Sequence, residues 1–154
     1  MKIVVFSDSH RVKSSMLSAV EIESPEAIIH LGDHDKDSEA IFAAYPNIPI
    51  RCVRGNCDYS SFSKEIDKFI LAGKRFFITH GHLFSVKSGI STITKAALND
   101  EADILLFGHT HIPYSAEHNN LTIINPGAIG SRKTYAVLNI KNGVVTYELK
   151  TVFD

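Results

Sequence analysis

The amino-acid sequence predicts an α/β layered domain built around a mixed sheet. Over the first two-thirds of the chain, short apolar runs alternate with segments of helical periodicity, which is typical of strands joined by helices. Over the last third, strand-like runs follow one another with tight turns between them, as in antiparallel hairpins. Strand–helix alternation followed by hairpins indicates a layered fold with both parallel and antiparallel pairing.

In the first two-thirds of the chain, strands are predicted from apolar runs and helices from apolar stripes. Apolar runs, the first of them rich in β-branched residues, predict strands at residues 2–6, 27–31, 48–54, 69–71, 75–79 and 103–107. Apolar residues at helical spacing predict helices over 13–23, 38–45 and 88–99. Pro46 ends the second helix, and Ala72-Gly73-Lys74 predicts a hairpin turn.

The last third is predicted to contain four strands. They cover residues 114–118, 121–124, 134–140 and 144–149. Asn119-Asn120 and Asn142-Gly143 stand between successive pairs of these strands, and both dipeptides are typical of tight hairpin turns.

Length and composition fit one soluble domain over residues 1–154. The 154 residues are 44% hydrophobic and 21% charged, and 16 Lys and Arg face 17 Asp and Glu. This balance argues against binding to long nucleic acid or to an anionic membrane. No apolar run is long enough to cross a bilayer, and the run after Met1-Lys2 is too short for a signal peptide. With Cys52 and Cys57 as the two cysteines, a reduced cytoplasmic location is expected.

Polar turns follow five of the predicted strands and share one composition. Each combines Gly or Ser with Asp, Asn or His: Ser7-Asp8-Ser9-His10, Gly32-Asp33-His34-Asp35, Gly55-Asn56-Cys57-Asp58, His80-Gly81-His82 and Gly108-His109-Thr110-His111. The carboxyl ends of parallel strands in an open α/β sheet face one crevice, so parallel strands would bring these turns together. The sequence therefore predicts one site that is rich in carboxylates and imidazoles.

Carboxylates and imidazoles forced together need a counter-charge, which metal cations supply. The candidate ligands are Asp8, His10, Asp33, Asn56, His80, His109 and His111. They are too many for one tetrahedral zinc, and they suit two metals that share a carboxylate about 3.5–4 Å apart. Mixed imidazole and carboxylate ligands favour Mn, Fe, Zn, Co or Ni over Mg or Ca.

This ordered motif set resembles the calcineurin-like metallophosphoesterases. The matching segments are Asp8-x-His10, Gly32-Asp33, Gly55-Asn56-x-Asp58, His80 and Gly108-His109-x-His111. Thr79-His80-Gly81-His82 and Asn125-Pro126-Gly127 are similar to the small bacterial and archaeal phosphodiesterase branch. The resemblance spans residues 2–149 and implies a four-layer α/β/β/α sandwich, with two mixed sheets flanked by helices. It also implies Asp8, His10 and His111 on one metal, Asn56, His80 and His109 on the other, and Asp33 as the bridge.

The identity of the proton donor is left open by the sequence. Cys57 stands where many family members have a His that protonates the leaving group, although the small phosphodiesterase branch often has Cys. A thiol of pKa about 8.5 donates less readily than an imidazolium, so Cys57, His82 or no acid at all are the alternatives. Asp58 is expected to orient Asn56 or a neighbouring turn. The candidate substrate contacts are Arg11 (where the family commonly has Gly), Arg54 and His82.

Other polar side chains are interpreted as structural. His30 lies inside an apolar run and is expected in the core. His118 lies beside Asn119-Asn120 and is expected in a solvated turn. Asp35 and Asp37 are expected on an exposed loop or at the cap of the next helix.

The resemblance predicts a hydrolase that cleaves phosphodiester bonds with water activated by two metals, manganese being preferred. A small phosphodiester is the expected substrate, and pairing of two copies through sheet edges is left open. The alternatives are a phosphomonoesterase or a non-catalytic scaffold like the family's retromer subunit, which shares the Gly-His-Thr-His and Asn-Pro-Gly segments. A nuclease of the double-strand-break-repair type is disfavoured by the chain length and the neutral charge balance.

Overall fold

The computed structural model describes residues 1–153, which form strands and helices in the predicted order. In chain order the elements are β1 Lys2–Phe6, α1 Lys13–Glu23, β2 Ala27–His30, α2 Ser38–Ala44, β3 Ile50–Cys52, β4 Ile66–Leu71, β5 Lys74–Thr79, α3 Ser91–Asn99, β6 Ile104–Leu106, β7 Pro113–His118, β8 Leu121–Pro126, β9 Thr134–Lys141 and β10 Val144–Thr151. Short 3-10 turns follow β2 at Asp35–Asp37 and β5 at His82–Phe84.

The strands form two five-stranded mixed sheets. The first has the order β10-β9-β1-β2-β3, in which β1, β2 and β3 are parallel and β9 and β10 are antiparallel. The second has the order β4-β5-β6-β8-β7, in which β5, β6 and β8 are parallel and the two edge strands are antiparallel. The strands that precede the five polar turns are therefore shared between two sheets, three in the first and two in the second.

Three apolar clusters show a four-layer α/β/β/α arrangement. Ile3 and Val5 of β1 face a core between the sheets, where they pack with Ile78 of β5 and its neighbours. Val4 and Phe6 point to the opposite side and pack against α1 and α2. A third cluster packs α3 on the outer face of the second sheet. Successive side chains of a strand point to opposite faces, so β1 contributes to both of its cores.

Most element boundaries lie within two residues of those predicted, and the differences at β4, α3 and β3 are the most informative. Strand β4 begins at Ile66 rather than at residue 69, because Asp67 and Lys68 pair in register with β5 although they interrupt the apolar pattern. Helix α3 begins at Ser91 rather than at residue 88, because Gly89 has a φ of 142° that no helix allows. Strand β3 is shorter than the run 48–54. Among residues 1–153, no helix combines the length and the apolarity that crossing a membrane requires.

Candidate metal centre

The ends of β1, β2, β5 and β6 meet at one place, although they belong to two sheets. His80 Nε2 after β5 lies 3.5 Å from Asp33 Oδ2 after β2. The backbone N–H of His109 after β6 donates to Asp8 Oδ2 after β1 at 3.2 Å. The structure thus brings together side chains that are about 100 residues apart in sequence, Asp8 and His109.

Four of the seven predicted ligands form a tight group with mixed carboxylate and imidazole atoms. Ligand atoms of Asp8, His10, Asp33 and His111 all lie within 4.8 Å of one another. His111 Nε2 is 3.0 Å from Asp8 Oδ1, and His10 Nε2 is 3.8 Å from both Asp8 Oδ1 and Asp33 Oδ2. Two carboxylates and two imidazoles at these distances are a donor set that suits a divalent transition metal.

Two of these atoms are buried without a hydrogen bond in the structure. Asp8 accepts hydrogen bonds at Oδ2 from Ser7 Oγ at 2.6 Å and from the His109 N–H. Its Oδ1 lies 3.0 Å from His111 Nε2, but among the described residues no group meets it in hydrogen-bond geometry. His10 Nε2 is likewise buried and without a hydrogen bond. A buried carboxylate oxygen without a hydrogen bond is unfavourable. A cation at this position would satisfy both atoms, so the residues fit a bound metal.

His80 and His109 lie beside this group. His80 is fully buried and its Nδ1 lies 2.8 Å from the Leu31 carbonyl, so it donates there and leaves Nε2 to face the carboxylates. Its Nε2 is also 3.2 Å from His109 Nδ1. The remaining predicted ligand, Asn56, has an exposed side chain whose Nδ2 lies 3.6 Å from Cys57 Sγ.

The charges of the site shift the pKa values of its members. Burial alone raises the pKa of Asp33, but hydrogen bonds from His80 and Cys57 outweigh it and hold the pKa below its usual value. Burial alone lowers the pKa of His80, and the carboxylates of Asp33 and Asp8 reverse this, so its pKa is raised. Burial and the charge of His80 lower the pKa of His109 to about 4. His109 is therefore neutral at pH 7, as a metal ligand must be.

Left-handed backbone is concentrated in the candidate ligands. Five of the seven are non-glycine residues with positive φ, namely Asp8 (55°), His10 (44°), Asp33 (57°), His109 (70°) and His111 (61°). Each such residue is strained relative to the right-handed region. The sharp turns that follow the strands depend on this conformation, which directs successive side chains towards the same centre.

Two glycines of the predicted motifs allow the turns to pack closely. A Cβ added to Gly108 would overlap Ser7 Oγ, and one added to Gly55 would overlap the Asp33 carboxylate. The β1 and β6 turns, and the β2 and β3 turns, can therefore approach each other only with glycine at these positions.

Asp58 ties two of the turns together. Its Oδ1 accepts the backbone N–H groups of His34 at 2.7 Å and Asp35 at 3.2 Å. Its Oδ2 accepts those of Asp33 at 2.9 Å and Gly55 at 2.8 Å. The carboxylate thus holds the backbone of the β2 turn against that of the β3 turn.

The remaining candidate residues surround this group. Cys57 donates its N–H to Asp33 Oδ1 at 2.9 Å, and burial together with the Asp33 charge raises the pKa of its thiol. His82 is half-buried with an unpartnered Nδ1, and burial and the charge of His80 lower its pKa. Arg54 forms a 3.0 Å ion pair with Glu65, and Arg11 is exposed beside His10.

Asp35 and Asp37, expected on an exposed loop or at the cap of α2, are both buried. Asp35 Oδ2 accepts hydrogen bonds from Ser61 Oγ and, at 2.8 Å, from Ser63 Oγ. Asp37 Oδ2 accepts hydrogen bonds from Ser9 Oγ and from the Arg11 N–H, both at 2.7 Å. The expectation of an exposed loop was wrong because these partners lie far away in the chain. Asp37 does occupy the N-cap position of α2, although its side chain makes no capping hydrogen bond.

His30, Ser9 and Asp37 form a chain of hydrogen bonds that holds the turn after β1. Its middle member, Ser9, was not among the residues predicted from the sequence. His30 is fully buried, as predicted, and its Nδ1 accepts the Gly32 N–H at 3.2 Å. Its Nε2 therefore donates to Ser9 Oγ at 3.1 Å, and Ser9 Oγ donates to Asp37. Ser9 stands between two candidate ligands, Asp8 and His10, and that position is the signal that could have pointed to it.

Comparison with known proteins identifies the family. The calcineurin-like phosphoesterase superfamily domain matches residues 1–143. The chain belongs to this superfamily. Its relatives include a protein named phosphodiesterase MJ0936 from Methanocaldococcus jannaschii, which is 32% identical over 146 residues and is matched over 82% of this chain and 83% of its own length. The calcineurin-like resemblance and its small phosphodiesterase branch are thereby confirmed.

Solved structures of the same fold confirm the layered architecture. A predicted phosphoesterase from Streptococcus pneumoniae superposes with a TM-score of 0.79 at 26% identity, over 97% of this chain and 88% of that one. Vps29 from Entamoeba histolytica, in complex with zinc, superposes with a TM-score of 0.78 at 18% identity, over 97% of this chain and 98% of that one. The second likeness concerns the fold alone. The fold, the family and the group of Asp8, His10, Asp33 and His111 together support a metal-dependent phosphoesterase.

Proposed function

We propose that this chain hydrolyses phosphodiester bonds with two divalent transition-metal ions, manganese being preferred over iron, zinc, nickel and cobalt. One ion would be held by Asp8, His10 and His111, the other by Asn56, His80 and His109, and Asp33 would bridge them. The observation that carries the proposal is that Asp8 Oδ1 and His10 Nε2 are buried without hydrogen bonds beside a second carboxylate.

Ions in this position lower the pKa of a coordinated water towards neutrality and offset the negative charge of a phosphate. The chain's own contribution is to fix the ligand atoms in advance. Ser7 and the His109 N–H hold one oxygen of Asp8, the Cys57 N–H holds one oxygen of Asp33, and the Leu31 carbonyl fixes the ring of His80. Each hydrogen bond leaves the other atom of its ligand free, which is how supporting residues orient metal ligands.

Substrate and leaving group would be handled by the residues around the centre. Exposed Arg11 would contact the phosphate, whereas Arg54 would have to leave its ion pair with Glu65 to do so. Neither candidate is a good proton donor at pH 7. The raised pKa of Cys57 makes its thiol a weaker acid, and the lowered pKa of His82 leaves most of its rings without the proton to donate. Esters with stable leaving groups should therefore be the better substrates.

The proposal is tested with purified protein, metal analysis by mass spectrometry and two activated substrates. Bis(4-nitrophenyl) phosphate is expected to be hydrolysed only with metal, and faster than 4-nitrophenyl phosphate. The variant His111→Ala should lose more than the roughly 10- to 100-fold typical of residues that merely support a ligand. The matched control is His118→Ala, an exposed histidine that should leave turnover unchanged.

Three results would contradict the proposal. Faster cleavage of the monoester would indicate a phosphomonoesterase. Absence of both bound metal and turnover would favour the scaffold role. Equal loss in both histidine variants would show that His111 has no special part in the reaction.

A further inference from the structure

An apolar groove begins at the turn that carries His109 and His111. Its first chamber, of about 490 Å³, lies between the segment that leads into α3 and the start of β7. Apolar side chains dominate the lining, including Val86, Ile90, Phe107, Ile112 and Tyr114. A second chamber of about 500 Å³ shares Ile90 and Tyr114 with the first and continues along α3. Both volumes fall within the range of small-molecule sites.

The groove and the candidate metal centre share one turn. Thr110 lies between the two histidines and lines the groove, and Ile112 follows His111 directly. Thr110 Oγ1 accepts hydrogen bonds from Asn125 Nδ2 at 2.9 Å and from the Ile112 N–H at 3.2 Å. The same turn thus carries two of the candidate ligands and the first residues of the apolar wall. The groove therefore adjoins the candidate metal centre at this turn.

The chemistry of the lining selects an apolar group with a negative charge at one end. Among residues 1–153, no carboxylate lines the first chamber, and the exposed Lys87 is the one charged residue in its lining. Lys87 follows Val86, whose side chain packs against Gly81 between His80 and His82. A cation at the metal end suits a phosphate. Ile112 and Tyr114 are 58% and 40% exposed in the free protein and would be covered by such a group.

We propose that the first chamber of this groove binds an apolar ester group, aromatic or alkyl, of the phosphodiester substrate, with Lys87 beside the phosphate. The inference rests on the proposed function and narrows it, because it assigns the substrate to phosphodiesters with an apolar alcohol component. Covering Ile112 and Tyr114 supplies the binding free energy, and Thr110 fixes the wall relative to the metal ligands.

Three unactivated phosphodiesters test the groove as inhibitors of bis(4-nitrophenyl) phosphate hydrolysis. Dibenzyl, dibutyl and dimethyl phosphate carry the same charge and differ in apolar area. Dibenzyl or dibutyl phosphate should inhibit about 10-fold or more tightly than dimethyl phosphate, from the area that one such group buries. In Ile112→Ser this preference should fall by about 3- to 10-fold. Ile22→Ser is the matched control, since Ile22 is 63% exposed on α1 and lines neither chamber.

A binding measurement separates this inference from the proposed function. Dibenzyl phosphate added to metal-free protein should shift the amide resonances of residues 86–90 and 110–114 in nitrogen-15 spectra. Shifts there, in a protein that hydrolyses no phosphodiester even after metal is added, would support the groove and refute the phosphodiesterase. Equal inhibition by all three diesters, an equal fall in both variants, or shifts confined to other residues would overturn the groove assignment while leaving the reaction intact.

Discussion

Replacing Asp58 by Asn should destabilise the protein more than any ordinary change of a half-buried polar side chain. The carboxylate accepts four backbone N–H groups, two at each oxygen. An amide of the same shape has a single acceptor oxygen. Whichever way it is oriented, two of the four N–H groups then face an NH₂ group and lose their acceptor.

The magnitude follows from those two lost hydrogen bonds. A hydrogen bond to a charged group contributes about 1.5–3 kcal/mol, so two of them amount to about 3–6 kcal/mol. Asp58 is half-buried, and water that reaches the turn replaces part of this. We therefore expect the free energy of unfolding to fall by about 2–4 kcal/mol. For a chain of this size that corresponds to a decrease in Tm of roughly 5–15 °C.

Urea unfolding of the metal-free protein measures this loss, with Asp103→Asn as the matched control. Asp103 is also half-buried, but its side chain accepts one backbone N–H, that of Arg75 at 2.7 Å. Its substitution should lower the free energy of unfolding by about 1 kcal/mol or less. If the two variants lose equal stability, the carboxylate of Asp58 does not hold the β2 and β3 turns together, and the reasoning fails.

Four further predictions follow from the site and from one buried ion pair. Asp33→Asn should remove turnover and weaken binding of both metals while unfolding stays cooperative, so retention of two metals by mass spectrometry would contradict the bridging role. His80→Ala should lose one metal ion and His82→Ala none, and equal metal content in the two variants would refute this assignment. A series of aryl diesters should show rates that depend steeply on leaving-group pKa in wild type and in Cys57→Ala alike, whereas a flat dependence that steepens in the variant would make the thiol the proton donor. Glu23 is buried. Burial alone raises its pKa, but hydrogen bonds from Lys150 and Tyr135 outweigh this and hold the pKa below its ordinary value of 4.5. Glu23→Gln should therefore lower stability by roughly 1–2 kcal/mol at pH 7, and urea titrations should show the difference shrinking as pH falls below about 4.5, where wild-type Glu23 takes up its proton.

The polar turns were predictable because each follows an apolar run at a strand end. Asp8, Asp33 and His109 could be assigned to a common site because each follows a predicted strand and the strands were taken to be parallel. That three of these strands lie in one sheet and two in another could not be derived from the pattern, because it is decided by long-range pairing such as that of β1 with β9. The family resemblance supplied the second sheet.

The burial of Asp35 and the start of β4 escaped prediction for a related reason. Asp35 is buried and accepts hydrogen bonds from the serines at positions 61 and 63. The residues near Asp35 in sequence do not indicate that these serines are its partners. Asp67 is buried because Arg51 and Lys64 pair with it at 2.9 and 3.3 Å, so a polar residue occupies a strand position that apolar pattern alone excludes. Lys64 is only three residues from Asp67, but Arg51 and the two serines are distant in sequence, and local patterns carry no information about distant partners.

At the left-handed residues of the site, selection for stability and selection for hydrolysis favour different amino acids. Each non-glycine residue in that conformation costs about 1–2 kcal/mol, a cost that glycine does not have. Glycine at His10 or His109 would therefore relieve the backbone and delete a ligand in the same step. A lineage under selection for hydrolysis must retain the less stable residue, whereas one released from it gains stability when glycine replaces His10 or His109. Decay of the centre would thus begin at these two histidines, because Asp8 and Asp33 accept hydrogen bonds that hold the turns.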